Sequence, residues 1–121
     1  MMIGKGFDTH SPTGPWIVTP DELGDPQDLA IRTRVNDELR QAGRTSEMIV
    51  SCVEMIEHLS TAFTLEPGEL ITTVTPAGVA AGGNRPRWLR AGDTVSVEIE
   101  GISTPTNPAV DELALGPDGG A

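Results

Sequence analysis

Tyrosine is absent from this chain of 121 residues, and only Phe7, Phe63, Trp16 and Trp88 carry large aromatic rings. A core that poor in rings rests on Ile, Val, Leu and Met, or borrows a surface from a partner. Cysteine is nearly absent too. Cys52 stands alone, so no intrachain disulfide can form, and a reducing compartment is the expected setting. Eight Lys and Arg face eighteen Asp and Glu, a formal charge of −10. That balance excludes sequence-independent nucleic-acid binding, which needs phosphate-neutralising cations, and docking on anionic membranes. The excess charge itself serves solubility. No apolar run approaches the length of a membrane span, and Met1 to Gly6 lacks a basic-then-apolar leader pattern. The expected location is cytoplasmic. Two histidines and one cysteine, far apart, give neither zinc spacing nor a nucleophilic triad.

What the chain does contain is the vocabulary of a small β-rich domain. Its length suits one domain, with no internal repeat and with Pro and Gly scattered as turn punctuation. Residues 15–19 are expected to form a short strand ended by Pro20. Pro20 to Leu23 then reads as one helical turn with Thr19 at its cap, and residues 25–28 as a turn. Leu29, Ile31, Thr33 and Val35 alternate with Ala30, Arg32 and Arg34, the period of a half-buried strand. Asn36-Asp37 sits where a two-residue hairpin turn belongs, returning through residues 38–41 and ending at residues 42–44. Ser51 and Glu54 have capping-box spacing and open the single clear helix, with Ile56, Leu59 and Phe63 on one face. His58 reads as a surface helix residue. Two turns, at residues 65–69 and 89–93, feed strands at residues 70–74 and 94–100. In the latter, Val95, Val97 and Ile99 point inward and Ser96, Glu98 and Glu100 outward. Residues 109–121 read as a flexible, acidic, Gly-rich tail.

Three segments exceed what core and turn require. Gly4 to Pro12 packs Lys5, Asp8, Thr9 and His10 between glycines and a proline. Lys5 there is either a compact positive charge for a bound oxyanion or part of a solvated arm. Thr75 precedes Pro76, so its backbone is held extended, and its hydroxyl is either aimed at a ligand or part of a strand-ending turn. The glycine-rich stretch from Gly78 to Pro86 lacks the Lys-Ser/Thr ending of a phosphate loop, which argues against nucleotide binding.

The order of these segments resembles the fumarylacetoacetate hydrolase family. Gly4-Lys5-x-Phe7-Asp8-Thr9-x-x-Pro12-x-Gly14-Pro15-Trp16 is similar to a signature loop of that family. Six further blocks follow in order: Asp25 to Leu29, Arg34 to Gln41, Thr45 to Ile49, Leu65 to Gly68, Thr75 to Val79, and Gly92 to Gly101. The resemblance implies a mainly β (α+β) fold over residues 1–108, a mixed β-roll or sandwich with one substantial helix, and an incomplete copy of it. It implies Mg²⁺ or Mn²⁺ as cofactor, a small keto or enol acid as substrate, and a homodimer in the complete enzyme. The reactions it implies are C–C hydrolysis of acylpyruvates, keto-acid decarboxylation or hydroxymuconate-type isomerisation through a metal-stabilised enolate. Carried over by position, Lys5 is the active-site lysine, Thr9 a threonine of the metal-proximal loop, and Thr75 a substrate-contacting threonine.

The family's metal-holding carboxylates precede this loop, and the sequence given begins after them. Gly6 replaces the usual Ser, Val74 the usual Gly before Thr75, and Pro105 falls in the expected last strand, where it removes a ladder donor. Two readings follow. In one, a second polypeptide supplies the N-terminal half of an enzyme. In the other, the chain is a non-catalytic truncated copy or a small β binding module.

Overall fold

The computed structural model describes residues 10–73, 75–82 and 86–111. A helical turn, α1 (Pro20–Leu23), leads into the strands β1 (Ala30–Val35) and β2 (Glu38–Arg44). The helix α2 (Cys52–Ser60) follows, then β3 (Thr94–Ile99) and β4 (Thr106–Pro108), with short 3-10 turns at Thr45–Glu47 and Ala80–Gly82. The four strands form one sheet in the order β2-β1-β3-β4, antiparallel at every step.

The hairpin forms because Asn36 and Asp37 tolerate the left-handed backbone that a two-residue turn demands, with φ of 49° and 67°. The amide of Asn36 then fastens the turn to β3. Its Nδ2 donates to Asp93 Oδ1 at 2.7 Å, and its Oδ1 accepts from Thr94 N at 2.9 Å. On the inner face, Ile31, Thr33 and Val35 of β1 stand opposite Ile99, Val97 and Val95 of β3, a ladder of branched side chains. On the outer face the paired residues Arg32 and Glu98 join Nη1 to Oε1 at 3.0 Å. In β1 the expected alternation is present, with Arg32 and Arg34 exposed and Ile31, Thr33 and Val35 half-buried. β3 departs from it: Ser96 and Glu98 are half-buried as well.

Pro105 does not break the last strand. It lies just ahead of β4 and contributes only its carbonyl, which accepts from Val97 N at 3.0 Å. Ala109 continues the pairing, donating to Asp93 O at 2.7 Å and accepting from Gly92 N at 2.9 Å.

β2 runs the full length to Arg44, with one irregularity. Thr33 pairs with Gln41, yet Arg34 pairs with Leu39, so Arg40 is an extra residue with no partner in β1. This is a β-bulge, and it explains why Arg40 and Gln41 are both half-buried in succession.

Two expected strands do not form among the described residues. Residues 15–19 pair with no strand edge among the described residues. That segment is anchored instead by the indole of Trp16, whose Nε1 donates to Ile102 O at 3.1 Å, while Ile17 is 94% exposed. Residues 70–73 are likewise irregular, and Val74 is outside the described residues. Branched side chains favour a pleated conformation only where a neighbouring edge accepts the backbone hydrogen bonds.

α2 begins where its cap is expected. Ser51 Oγ accepts from Glu54 N at 3.1 Å, and Glu54 Oε2 accepts from Ser51 N at 2.8 Å, a reciprocal capping box. The half-covered face differs from the expected one, being Cys52, Met55 and Leu59, while Ile56 and Phe63 are 47% and 65% exposed. His58 is exposed, as read from the sequence. The closest packing between elements is that of neighbouring strands. Among the described residues the only buried hydrophobic is Leu29. No described helix is long and apolar enough to cross a membrane.

Candidate functional site

Thr75 lies beside the far end of β2, on a segment that crosses the bulge. Two glycines permit the crossing. Gly78 has φ of 100°, and a Cβ built on it overlaps the Arg40 carbonyl, so only glycine meets both conditions. A Cβ on Gly43 would sit 3.4 Å from Pro76 Cβ and 3.1 Å from Glu47 Oε2. Pro76 has no N–H to offer a ladder, so the join is made by a side chain: Gln41 Nε2 donates to Pro76 O at 3.0 Å. Thr75 itself is exposed, and Pro76 is half-buried beneath it.

This arrangement encloses a concavity of about 440 Å³ bordered by Arg44, Glu47, Met48, Thr73 and Thr75. The far wall is rigid for identifiable reasons. Thr45 Oγ1 accepts from Leu29 N at 2.8 Å, and Thr45 N donates to Leu29 O at 2.9 Å. Arg44 Nε donates to Asp28 Oδ1 at 2.7 Å, Arg44 Nη2 donates to Asp28 O at 2.9 Å, and Ser46 Oγ donates to the same Oδ1 at 3.1 Å. The hydrogen bond from Arg44, then that from Ser46, holds the Asp28 carboxyl below its ordinary range, and Asp28 in turn raises Arg44. Glu47 turns back to accept from Arg44 N at 3.0 Å.

Of the residues marked by the sequence, Thr75 is the one this geometry places. Lys5 and Thr9 lie outside the described residues. Nothing in the sequence assigns a site role to Gln41, which belongs to the hairpin return and to the family block from Arg34, although a polar residue at an inward position of the strand marks a side chain with a partner to find. The bulge at Arg40 has no such mark, since neither Gly nor Pro flags it.

The described residues do not fit a divalent metal. They hold no group of three or more His, Cys, Asp and Glu side chains able to share an ion. Glu47 is the one carboxylate on the rim beside Thr75. What the site offers is a hydroxyl on a rigid strap, facing a wall whose cation is already paired. That suits orienting a ligand rather than carrying out bond chemistry alone.

Comparison with known proteins gives a consistent picture. The family model for the fumarylacetoacetate (FAA) hydrolase C-terminal region matches residues 1–110. The oxaloacetate tautomerase YisK of Bacillus subtilis is 47% identical over 105 residues, covering 87% of this chain and 35% of that protein. The fumarylacetoacetate hydrolase structure from Exiguobacterium antarcticum superposes with a TM-score of 0.86 at 44% identity, covering 91% of this chain and 39% of the other. The maleylpyruvate hydrolase of Sphingobium sp. SYK-6, solved with manganese(II) and pyruvate, gives a TM-score of 0.76 at 36% identity, covering 86% and 37%. The chain spans about a third of the length of the curated relatives it matches.

Proposed function

The chain belongs to the fumarylacetoacetate hydrolase family, and from that premise we propose that it forms the C-terminal part of a divalent-metal-dependent enzyme acting on small keto or enol acids. The observation that carries this reading is the docked strap. Thr75 is held on the rim of a concavity by Gln41, Gly43 and Gly78, and the geometry serves ligand positioning better than it serves core packing.

In this reading Thr75 orients the substrate through its hydroxyl, and Lys5 places a positive charge near the developing anion. Thr9 belongs to the loop beside the metal. The metal, Mg²⁺ or Mn²⁺, would be held by carboxylates that the described residues do not supply, such as those of a second polypeptide. When bound it supplies Lewis-acid chemistry. The named activities of relatives support the substrate class: a tautomerase of oxaloacetate, a hydrolase of maleylpyruvate, and a 2-hydroxyhepta-2,4-diene-1,7-dioate isomerase from Mycobacterium marinum. We place the complete enzyme in the cytoplasm, as a homodimer.

Two preparations test this. The purified 121-residue chain is expected to show no Mg²⁺- or Mn²⁺-dependent turnover of oxaloacetate or acylpyruvates. Joined to, or mixed with, a family N-terminal half that carries the carboxylates, it is expected to gain metal-dependent turnover. Lys5→Ala then lowers kcat by about 100-fold or more, whereas Thr75→Val mainly raises KM. Robust turnover by the isolated chain, abolished by Lys5→Ala, overturns the assignment of the metal to sequence outside it. If Lys5→Ala leaves turnover of the assembled enzyme intact, the role given to Lys5 is wrong.

A further inference from the structure

A second cleft, of about 430 Å³, opens at the turn end of the sheet, bordered by Arg40, Arg87, Trp88, Arg90, Asn36 and Asp93. It gathers three of the eight Lys and Arg residues of a chain with net charge −10. General composition does not produce a locally cationic hollow in so acidic a protein.

The two carboxylates at this cleft are already engaged. Glu38 Oε1 accepts from Arg87 Nη1 at 2.7 Å. Asp93 takes three donors on its oxygens and backbone: Oδ1 accepts from Asn36 Nδ2, Oδ2 accepts from Arg90 N at 2.8 Å, and its carbonyl accepts from Ala109 N. Arg40 and Arg90 act on these carboxylates only through space, both of them on Asp93 and Arg40 on Glu38 as well. Arg40 is the bulged residue of β2, with no cross-strand partner. Its Nε is buried and has no hydrogen-bond partner. A buried donor left without a partner is costly, more so when the group is charged, so it calls for an explanation. Bulges commonly re-aim a side chain beside a binding site, and the strap at Gly78 fixes this one by packing on the Arg40 carbonyl.

We propose that this cleft is a binding site for a small oxyanion, a carboxylate or a phosphate, held by the Arg40 guanidinium and closed by Arg90. The volume suits a small-molecule ligand, and a guanidinium presents its donors as a planar fork that matches both anions. The site is separate from the concavity at Thr75 and stands whether or not the reading of that concavity is correct.

The test is an NMR titration of the 121-residue chain with inorganic phosphate and, separately, pyruvate, at constant ionic strength. The Arg40 Nε–Hε resonance is expected to shift saturably with at least one of them, and the anion that saturates identifies the source. Arg90→Met, at an exposed position, is expected to weaken binding by about tenfold. Arg32→Met, whose cation lies on the sheet's outer face paired to Glu98, is expected to leave it within about twofold. A shift that grows linearly with both anions overturns the proposal. So does saturable binding that survives Arg40→Met and Arg90→Met unchanged.

Discussion

The two sides of this molecule are held by different means. The strand side is tied at every level, by the Asn36 amide bridging to Asp93 and Thr94, by the branched ladder of β1 on β3, and by Leu29 beneath the Thr45 hydroxyl. The helix side has a well-made helix with little to lie against. Its cap is complete, but Val53, Ile56, Phe63 and Leu70 are 69%, 47%, 65% and 72% exposed, and its tie to the strand side is Cys52 N donating to Gln27 Oε1 at 3.0 Å. Local codes complete an element without any core behind it, whereas a strand needs a neighbour before it exists. Apolar surface on this scale is what packing surfaces look like before they are covered.

Leu29→Ala is the sharpest way to break the comparison. On the strand side it should cost about 2–4 kcal/mol, while Ile56→Ala on the helix side should fall within about 0.5 kcal/mol, both read from urea unfolding of the isolated chain. Equal losses would show that the helix is packed after all. Gly78→Ala comes next. The new Cβ meets the Arg40 carbonyl at a positive φ, so a loss of about 2 kcal/mol is expected, together with faster exchange of the Gln41 side-chain amide. Ser51→Ala removes the cap acceptor and should lower helix-side stability by about 1 kcal/mol, visible in hydrogen exchange of α2 with the sheet amides unchanged.

The smallest effect concerns acid. The Asp28 carboxyl is held below its ordinary range chiefly by Arg44 and then by Ser46. A lowered folded value means that the stabilisation is present above the unfolded value of 3.8 and is lost as pH falls through the folded one. Asp28→Asn should therefore flatten the acid limb of the stability profile on the strand side. An unchanged limb would assign the acid sensitivity to other carboxylates, such as Asp93, lowered first by the Arg90 backbone and then by Asn36.

These contrasts track what was legible in the sequence. The hairpin, the capping box and the β1 alternation could be read because each is encoded within a few residues, and all three are present. The strands expected at residues 15–19 and 70–74 have the composition, but their described residues lack the neighbour, which no local pattern reports. The helix face was misassigned because Phe63 lies beyond the last helical residue, Ser60, and so does not continue the stripe. Thr75 is marked by the proline that follows it and by the collinear blocks of the family resemblance, and the residues that press its strap onto β2 emerge only from geometry. Arg40 is the clearest case of what stays hidden, since one extra residue in a strand leaves no mark in a pattern of period two.

That extra residue has a consequence for how the chain tolerates change in length. Between the turn and the bulge, Glu38 and Leu39 oppose Val35 and Arg34; beyond it, Gln41 and Gly43 oppose Thr33 and Ile31. Excising Arg40 would leave every one of those pairs in place and merely straighten the strand. Position 40 is thus the natural gap in this ladder. A sequence one residue shorter there would keep the sheet while surrendering the cationic hollow.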